Sequence, residues 1–255
     1  MEPMQTDPHH AAAFDFSGQV IRLYAALISG APAAPQQTEP SLGGKLLYAA
    51  ELEPKGHALV IAANIAGAAT LAATSDPAAQ KQAIRDGVID FLVTSLDEAL
   101  RILKNEIRKH ETVAVCVAAA PEAVKREMLE RGVLPDLIPQ RATPSLACEE
   151  FLAHGARRLE TDSFEELASL VAWQVSAAPA QWLPKLDAIA LDCLDPEDWR
   201  ARRWLRLAPR YLGRLAQGMH VACFTPQAKQ AFISRVEEGM HSGEIGIEVN
   251  IQTAD

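Results

Sequence analysis

From Lys45 onward the chain alternates short apolar runs with helix-length amphipathic segments. That rhythm, more than any single residue, limits what the chain can fold into. Lys45 to Ala50 reads as a first strand, and Gly56 to Gly67 as a helix closed by a glycine. Ala68 to Ala73 is a second strand. Pro77 to Asp86 is a helix with Asp76 as cap and Pro77 at its first position. Asp90 to Val93 is a third strand. Ser95 to His110 is a helix capped by Ser95, with Glu98 in capping-box spacing and the stripe Leu96, Leu100, Leu103, Ile107. Val113 to Ala118 follows as a strand, Pro121 to Arg131 as a helix ended by Gly132, and Leu137–Ile138 as another strand. Strand–helix alternation with short connections implies an α/β fold with a mostly parallel, doubly wound sheet and helices on both faces. Ligands of such folds bind beyond the carboxyl ends of the strands.

The second half is expected to continue the rhythm. Pro144 to His154 reads as a helix and Arg157 to Glu160 as a short strand. Ser163 to Val175 reads as a helix with Ser163 and Glu166 in capping-box spacing, and Leu186 to Leu191 as a strand. Pro196 to Leu215 is a basic-faced helix interrupted at Pro209; His220 to Phe224, Pro226 to Met240 and Ile245 to Ile251 read as strand, helix and strand. Residues 1–40 differ from the rest. Gln19 to Ser29 is apolar and helical in pattern, and Gly30 to Pro40 is a Pro/Ala/Gln-rich linker, so 1–40 reads as an arm with room for disorder.

Composition narrows the function classes. A net charge of -9 repels phosphate backbones, which argues against nucleic-acid binding. No apolar run reaches ~18 residues, which argues against a membrane span. The first ten residues lack a basic region followed by an apolar stretch, so no signal peptide is expected and the cytoplasm is the default location. The four cysteines, Cys116, Cys148, Cys193 and Cys223, form no C-x-x-C pair, so neither a zinc site nor a disulfide framework is expected.

Gly44-Lys45-Leu46-Leu47 through Asp76-Pro77 resembles the start of the NAD domain of urocanase (urocanate hydratase), a Rossmann-like fold. The resemblance continues through Ser95-Leu96-Asp97-Glu98-Ala99-Leu100-Arg101 and Glu130-Arg131-Gly132-Val133-Leu134-Pro135-Asp136. Near the end, Arg203-Trp204-Leu205 and Gly239-Met240-His241-Ser242-Gly243-Glu244-Ile245 are similar to the exit of that domain. It spans roughly 41–255, with deletions around 145–195, and implies a urocanase-like Rossmann domain over 41–255. The family is longer, holds NAD tightly and uses it as an electrophile to add water to urocanate in histidine degradation. No counterpart of its downstream cysteine-bearing catalytic region is recognised here. Family members dimerise, so a homodimer is one implied assembly.

Four places carry the ligand in that family, and each is altered here. The glycine-rich first turn has the form Gly-Leu-Gly-Gly-Met-Gly-Gly-Ala-Gln; the matching residues run from Glu51 through Leu52, Glu53, Pro54, Lys55, Gly56, His57 and Ala58 to Leu59. Only Gly56 is kept, Pro54 lacks an amide donor, and Glu51 and Glu53 bring negative charge to where a pyrophosphate would lie. Two like charges ~5 Å apart at an effective dielectric of ~20 repel by roughly 3 kcal/mol, about two decades of affinity. Lys55 and His57 offset part of this but make a different anion site. The acidic residue that grips the ribose is Thr74 here, and Asp76, two positions on, is explained by helix capping. The polar turn after the fourth strand is Ala119, Ala120, Pro121, Glu122, Ala123, and the acid- and histidine-bearing run after the fifth is Pro139 to Leu146, with Arg141 as an anion candidate or a solvated loop residue. Framework positions such as Gly67, Pro77, Gly132, Pro135 and Asp136 are retained. The degenerate cofactor-site candidates are therefore Lys55, Gly56, His57, Thr74, Asp76 and Arg141, with no catalytic residue and no metal ligand assigned. No cofactor is expected; NAD is the cofactor if the family site survives.

Other residues have two readings each. His57 is an anion or acid–base group, or an exposed histidine at a helix start. Asp187 and Asp192 bracket a strand, where carboxylates can be catalytic, or Asp192 and Asp195 simply flank a helix start. Cys193 is a nucleophile or an ordinary thiol. Arg200, Arg202, Arg203, Arg206, Arg210 and Arg214 bind an acidic partner or form a solvated face. Trp173, Trp182, Trp199 and Trp204 are packing residues. Two functions remain: a catalytically incomplete urocanase-like module that binds a small ligand or a protein partner, or a hydro-lyase, urocanate hydratase above all, completed by a partner subunit.

Overall fold

A computed structural model describes residues 8–29, 39–139, 146–159, 169–216 and 218–254. The chain divides into two compact units, one of residues 22–164 and one of residues 1–21 with 165–255. The first element is a 22-residue helix, α1 (Pro8–Ser29), so the described part of the expected arm is helical. Val20, Tyr24, Leu27 and Ile28 on it are buried. The expected linker lies almost wholly outside the described residues.

Six parallel strands form the first sheet in the order β3-β4-β2-β1-β5-β6: β1 (Leu46–Glu51), β2 (Ala69–Ala73), β3 (Phe91–Val93), β4 (Ala114–Val117), β5 (Leu137–Ile138) and β6 (Arg157–Arg158). Helices α2 (Pro54–Ala66), α3 (Pro77–Arg85), α4 (Leu96–Lys109), α5 (Pro121–Glu130) and α6 (Leu146–Ala153) connect them. From β1 the chain steps one way along the sheet through α2 and α3. From β3 it returns the other way through α4, α5 and α6. Right-handed crossovers then put the two groups of helices on opposite faces. One core joins Leu103 of α4, Met128 of α5 and Phe151 of α6 to Tyr48, Leu71 and Val115 of the sheet. This is the doubly wound α/β, Rossmann-like architecture that the alternation implies.

Local chemistry sets the helix ends. Asp76 caps α3 by accepting from the amides of Ala78 and Ala79. Ser95 caps α4 through Glu98 N, while Glu98 accepts from the amide and hydroxyl of Thr94. Gly67, at φ 95°, closes α2 in the left-handed conformation that glycine reaches without strain. Every residue of α2 from Gly56 onward is buried, which suits a helix apolar on all sides.

The second half departs from the expected rhythm. Residues 169–175, expected as the end of a helix, form strand β7 (Ser169–Val175). Leu186 to Leu191, expected as a strand, lies inside helix α7 (Pro179–Cys193). Both errors have one cause: short apolar runs carry little period of their own. β7 is flanked by strands on both sides and is buried almost throughout, so it lacks a polar alternation. Leu183, Leu186 and Ala190 are buried at helical spacing on α7. The remaining elements are α8 (Trp199–Leu212), with Pro209 inside it rather than interrupting it, a 3-10 turn, β8 (Met219–Phe224), α9 (Pro226–Ser242) and β9 (Val249–Ala254). Strands β8-β7-β9 make a separate antiparallel sheet, not a continuation of the parallel one. Its core is aromatic: Phe232 lies 5.4 Å from Phe224 and 5.0 Å from Trp173, ring centre to ring centre.

Phe232 is fully buried in that cluster. Phe232→Ala should therefore lower stability by about 3–5 kcal/mol, read as a shift in the denaturant midpoint.

Candidate functional site

The order of strands reverses around β1, with β2 reached in one direction and β5 in the other. The carboxyl ends of these strands are where an open α/β sheet receives ligands. At the end of β1 the pairing with β2 slips between Tyr48 and Ala50, and Ala50 takes φ 61°. A non-glycine residue pays a local strain there. The chain then turns sharply through exposed Glu51, buried Leu52 and exposed Glu53 into α2. Glu53 occupies the cap position without a side-chain hydrogen bond, and Pro54 fills the first helical position.

Gly56 sits against the strand it has just left. A Cβ on it would lie 2.0 Å from the carbonyl oxygen of Glu51, so no larger residue fits. His57 follows at 9% exposure. It is not the exposed helix-start residue expected, because α2 is covered on the side it occupies. Its Nε2 is buried with no hydrogen-bond partner among the described residues. Burial pushes its pKa down, opposed by the charge of Asp86. Lys55 lies in the same helical turn.

One strand over, Thr74 is almost fully buried. Its hydroxyl accepts from Asp76 N at 3.2 Å, and its carbonyl accepts from Gln80 Nε2 at 2.9 Å. Thr74 and Asp76 thus start α3, and both carboxylate oxygens of Asp76 are used in the cap. The strands β1 and β2 bring Lys55, Gly56 and His57 to one side of the same sheet end as Thr74 and Asp76. Arg141 lies outside the described residues.

Two polar side chains near this region, Tyr48 and Lys125, escaped the sequence reading. Tyr48 is buried in β1 and donates to Pro121 O at 2.9 Å. Burial first, and then the charge of Glu122, push its pKa upward. Lys125 on α5 is 3% exposed and pairs with Glu122. The available signal was modest: a tyrosine within an aliphatic strand, and a lysine between Val124 and Met128 on the buried face of its helix. On the opposite sheet face, burial pushes the Cys116 thiol up to about 11, with a Thr74 backbone hydrogen bond acting the other way.

The second unit separates the remaining candidates. Asp187 sits on α7 and accepts from Trp173 Nε1 at 3.0 Å, and His220 Nδ1 lies 2.8 and 2.9 Å from its two oxygens. Asp192 is exposed and faces Arg235 at 3.5 Å. Neither carboxylate borders a strand end. Cys193 is a half-buried free thiol at the end of α7. Arg202 donates to Leu191 O, while Arg200 and Arg210 lie over Trp199 and Tyr211. Trp173 and Trp204 are core residues; Trp182 and Trp199 are half-buried. Among the described residues no cluster of histidine, cysteine or carboxylate could hold a metal ion, and no helix is long and apolar enough to cross a membrane.

The family model of the urocanase Rossmann-like domain matches residues 26–156, the stretch that holds nearly all of the parallel sheet. The chain belongs to the urocanase family. A curated relative named S-methyl thiourocanate hydratase, from Variovorax sp. (strain JCM 16519 / RA8), is 28% identical over 106 residues. That alignment covers 42% of this chain and 19% of the relative, so the chain corresponds to a minor part of the relative's length. In this urocanase-family domain the matched stretch includes the turn from β1 into α2 with its close approach at Gly56.

Two outcomes follow from this geometry. Gly56→Ala should cost about 3 kcal/mol or more, since the added methyl meets backbone that cannot move aside cheaply; a thermal melt reads the loss. His57 has its folded pKa below the unfolded value of about 6.5. The unfolded chain then binds more protons between those two values, so the stability His57 contributes is full above the unfolded pKa and is lost as pH falls toward the folded one. Denaturant titrations should show stability declining below about pH 6.5, and His57→Gln should remove that part of the decline.

Proposed function

We propose that this urocanase-family domain works as a binding module rather than as a self-sufficient hydratase. The observation that carries this reading is the turn from β1 into α2. Its two exposed side chains are Glu51 and Glu53, and its first helical residue is a proline. A pyrophosphate needs converging amide donors and a positive helix end. This turn supplies two carboxylates and withholds a donor. The neighbouring positions are committed as well: Thr74 and Asp76 spend their oxygens on α3, and Ala120 offers no side-chain cap at the start of α5. The residues present do not fit NAD, although the family's domain is NAD-related. The ligand or protein partner of such a module would be met at the carboxyl ends of β1 and β2, beside the acidic turn.

A second reading draws on the relative's name. A chain matching part of a protein called S-methyl thiourocanate hydratase would contribute to hydration of a urocanate-like substrate if other segments completed the site. The first reading is tested on the purified chain alone. Calorimetric titration of the purified chain with NAD should give no binding tighter than about 1 mM, and urocanate or S-methyl thiourocanate should remain unhydrated. Micromolar binding, or turnover with added NAD, would reject the binding-module reading.

A further inference from the structure

β6 ends one side of the parallel sheet with Arg157 and Arg158, both exposed, and charges on an edge discourage a further strand. β3 ends the other side with Phe91-Leu92-Val93, and no strand pairs with its outer side among the described residues. The carbonyl of Val93 turns inward and accepts from Ala118 N. Neighbouring residues of a strand turn their amides and carbonyls to opposite sides, so those of Leu92 face outward, away from β4. Phe91 is 47% exposed and Leu92 38%, and their side chains point to opposite faces of the sheet. On the α4 face Phe91 borders, with Arg101 and Ile102, a shallow groove of about 790 Å³. On the other face Leu92 points towards α3, whose Ile84 is 51% exposed.

The free charge at this edge is positive. Asp90, Arg101 and Glu106 border the groove. Asp90 accepts from Ala114 N, and Glu106 accepts from Asn105 and Lys109. The acids that Arg101 feels on its own helix are engaged as well, Asp97 with Arg131 and Glu98 with Thr94. Exposed Lys104 and Arg108 continue the basic ridge along α4.

We infer that the β3 edge docks an extended segment of another protein, one that alternates apolar and acidic side chains. An outward-facing amide and carbonyl are satisfied by a strand laid beside them. In that mode of recognition main-chain hydrogen bonds give affinity and alternate side chains give specificity. Beside β3, every second side chain of the segment turns to the α3 face, where Leu92 and Ile84 favour apolar groups. The others turn to the α4 face, where Arg101 favours acids. A second copy of this chain brings another cation and no free acid to the groove, so its edge is the poorer fit. This surface is separate from the ends of β1 and β2, and the inference does not rest on the function proposed for them.

Fluorescence anisotropy tests this with the full chain and a fluorescein-labelled peptide of about six residues alternating valine and glutamate. The peptide should bind with a Kd of about 100 µM or tighter. A counterpart alternating valine and lysine should bind at least about tenfold more weakly, and Arg101→Glu should reverse that preference. Leu92→Pro removes the outward amide and no bond to β4; it should abolish binding with the far-ultraviolet dichroism unchanged. Should that variant fail to fold, the reversal by Arg101→Glu decides alone. A wild-type chain that leaves the valine–glutamate peptide free at about 1 mM, equal binding of the two peptides, or a preference that Arg101→Glu leaves unchanged would each overturn the inference. So would a folded Leu92→Pro chain that still binds, or a dimer in sedimentation velocity that Leu92→Pro dissolves, which would give the edge to a second copy instead.

Discussion

The contact between Gly56 and the carbonyl of Glu51 is the constraint from which the rest of the parallel sheet is built. It lets the first turn of α2 lie directly on the end of β1. From there the helix stays buried along its length, through Val60 and Ala63 to the left-handed stop at Gly67. β2 can then pair with β1 over five registered positions. The small side chains of both strands and of α2 serve the same end. Helix and sheet approach closely only where little projects between them, and the low aromatic content of the chain, 5%, fits that requirement.

The same contact has a packing role that stands apart from any ligand. Of the several jobs glycines do in a dinucleotide turn, close packing of helix on strand is one and approach to phosphate is another. Gly56 does the first. The proposed function rests on Glu51, Glu53 and Pro54 opposing the second. The oxygens of Thr74 and Asp76 are likewise engaged in starting helix α3.

The antiparallel unit rests on a different device. Its core is aromatic, and Asp187 ties the indole of Trp173 on β7 and the imidazole of His220 on β8 to helix α7. A half-buried carboxylate accepting from groups on two strands is a satisfied polar network that specifies how helix and sheet dock. That accounts for Asp187 without a catalytic role. Sequence alone had placed this residue beside a strand end, because Leu186 to Leu191 contains nothing that separates a buried helix from a buried strand.

Local chemistry was legible wherever one residue decides one backbone event. Asp76 and Ser95 as caps, Pro77 at a helix start, and Gly67 and Gly132 past helix ends could be read directly, because each acts within a few residues of itself. The strand–helix rhythm of residues 45–158 determined the parallel sheet, since short connections leave few topologies open. Tertiary structure alone decided the rest. The burial of His57 and Lys125, the hydrogen bond from Tyr48 to Pro121, and the joining of Trp173, Asp187 and His220 depend on which distant surfaces cover a residue. It also decided that 169–254 forms a separate antiparallel sheet. A run such as Leu170 to Trp173 is apolar throughout, and its neighbours in space, not its own pattern, select its conformation.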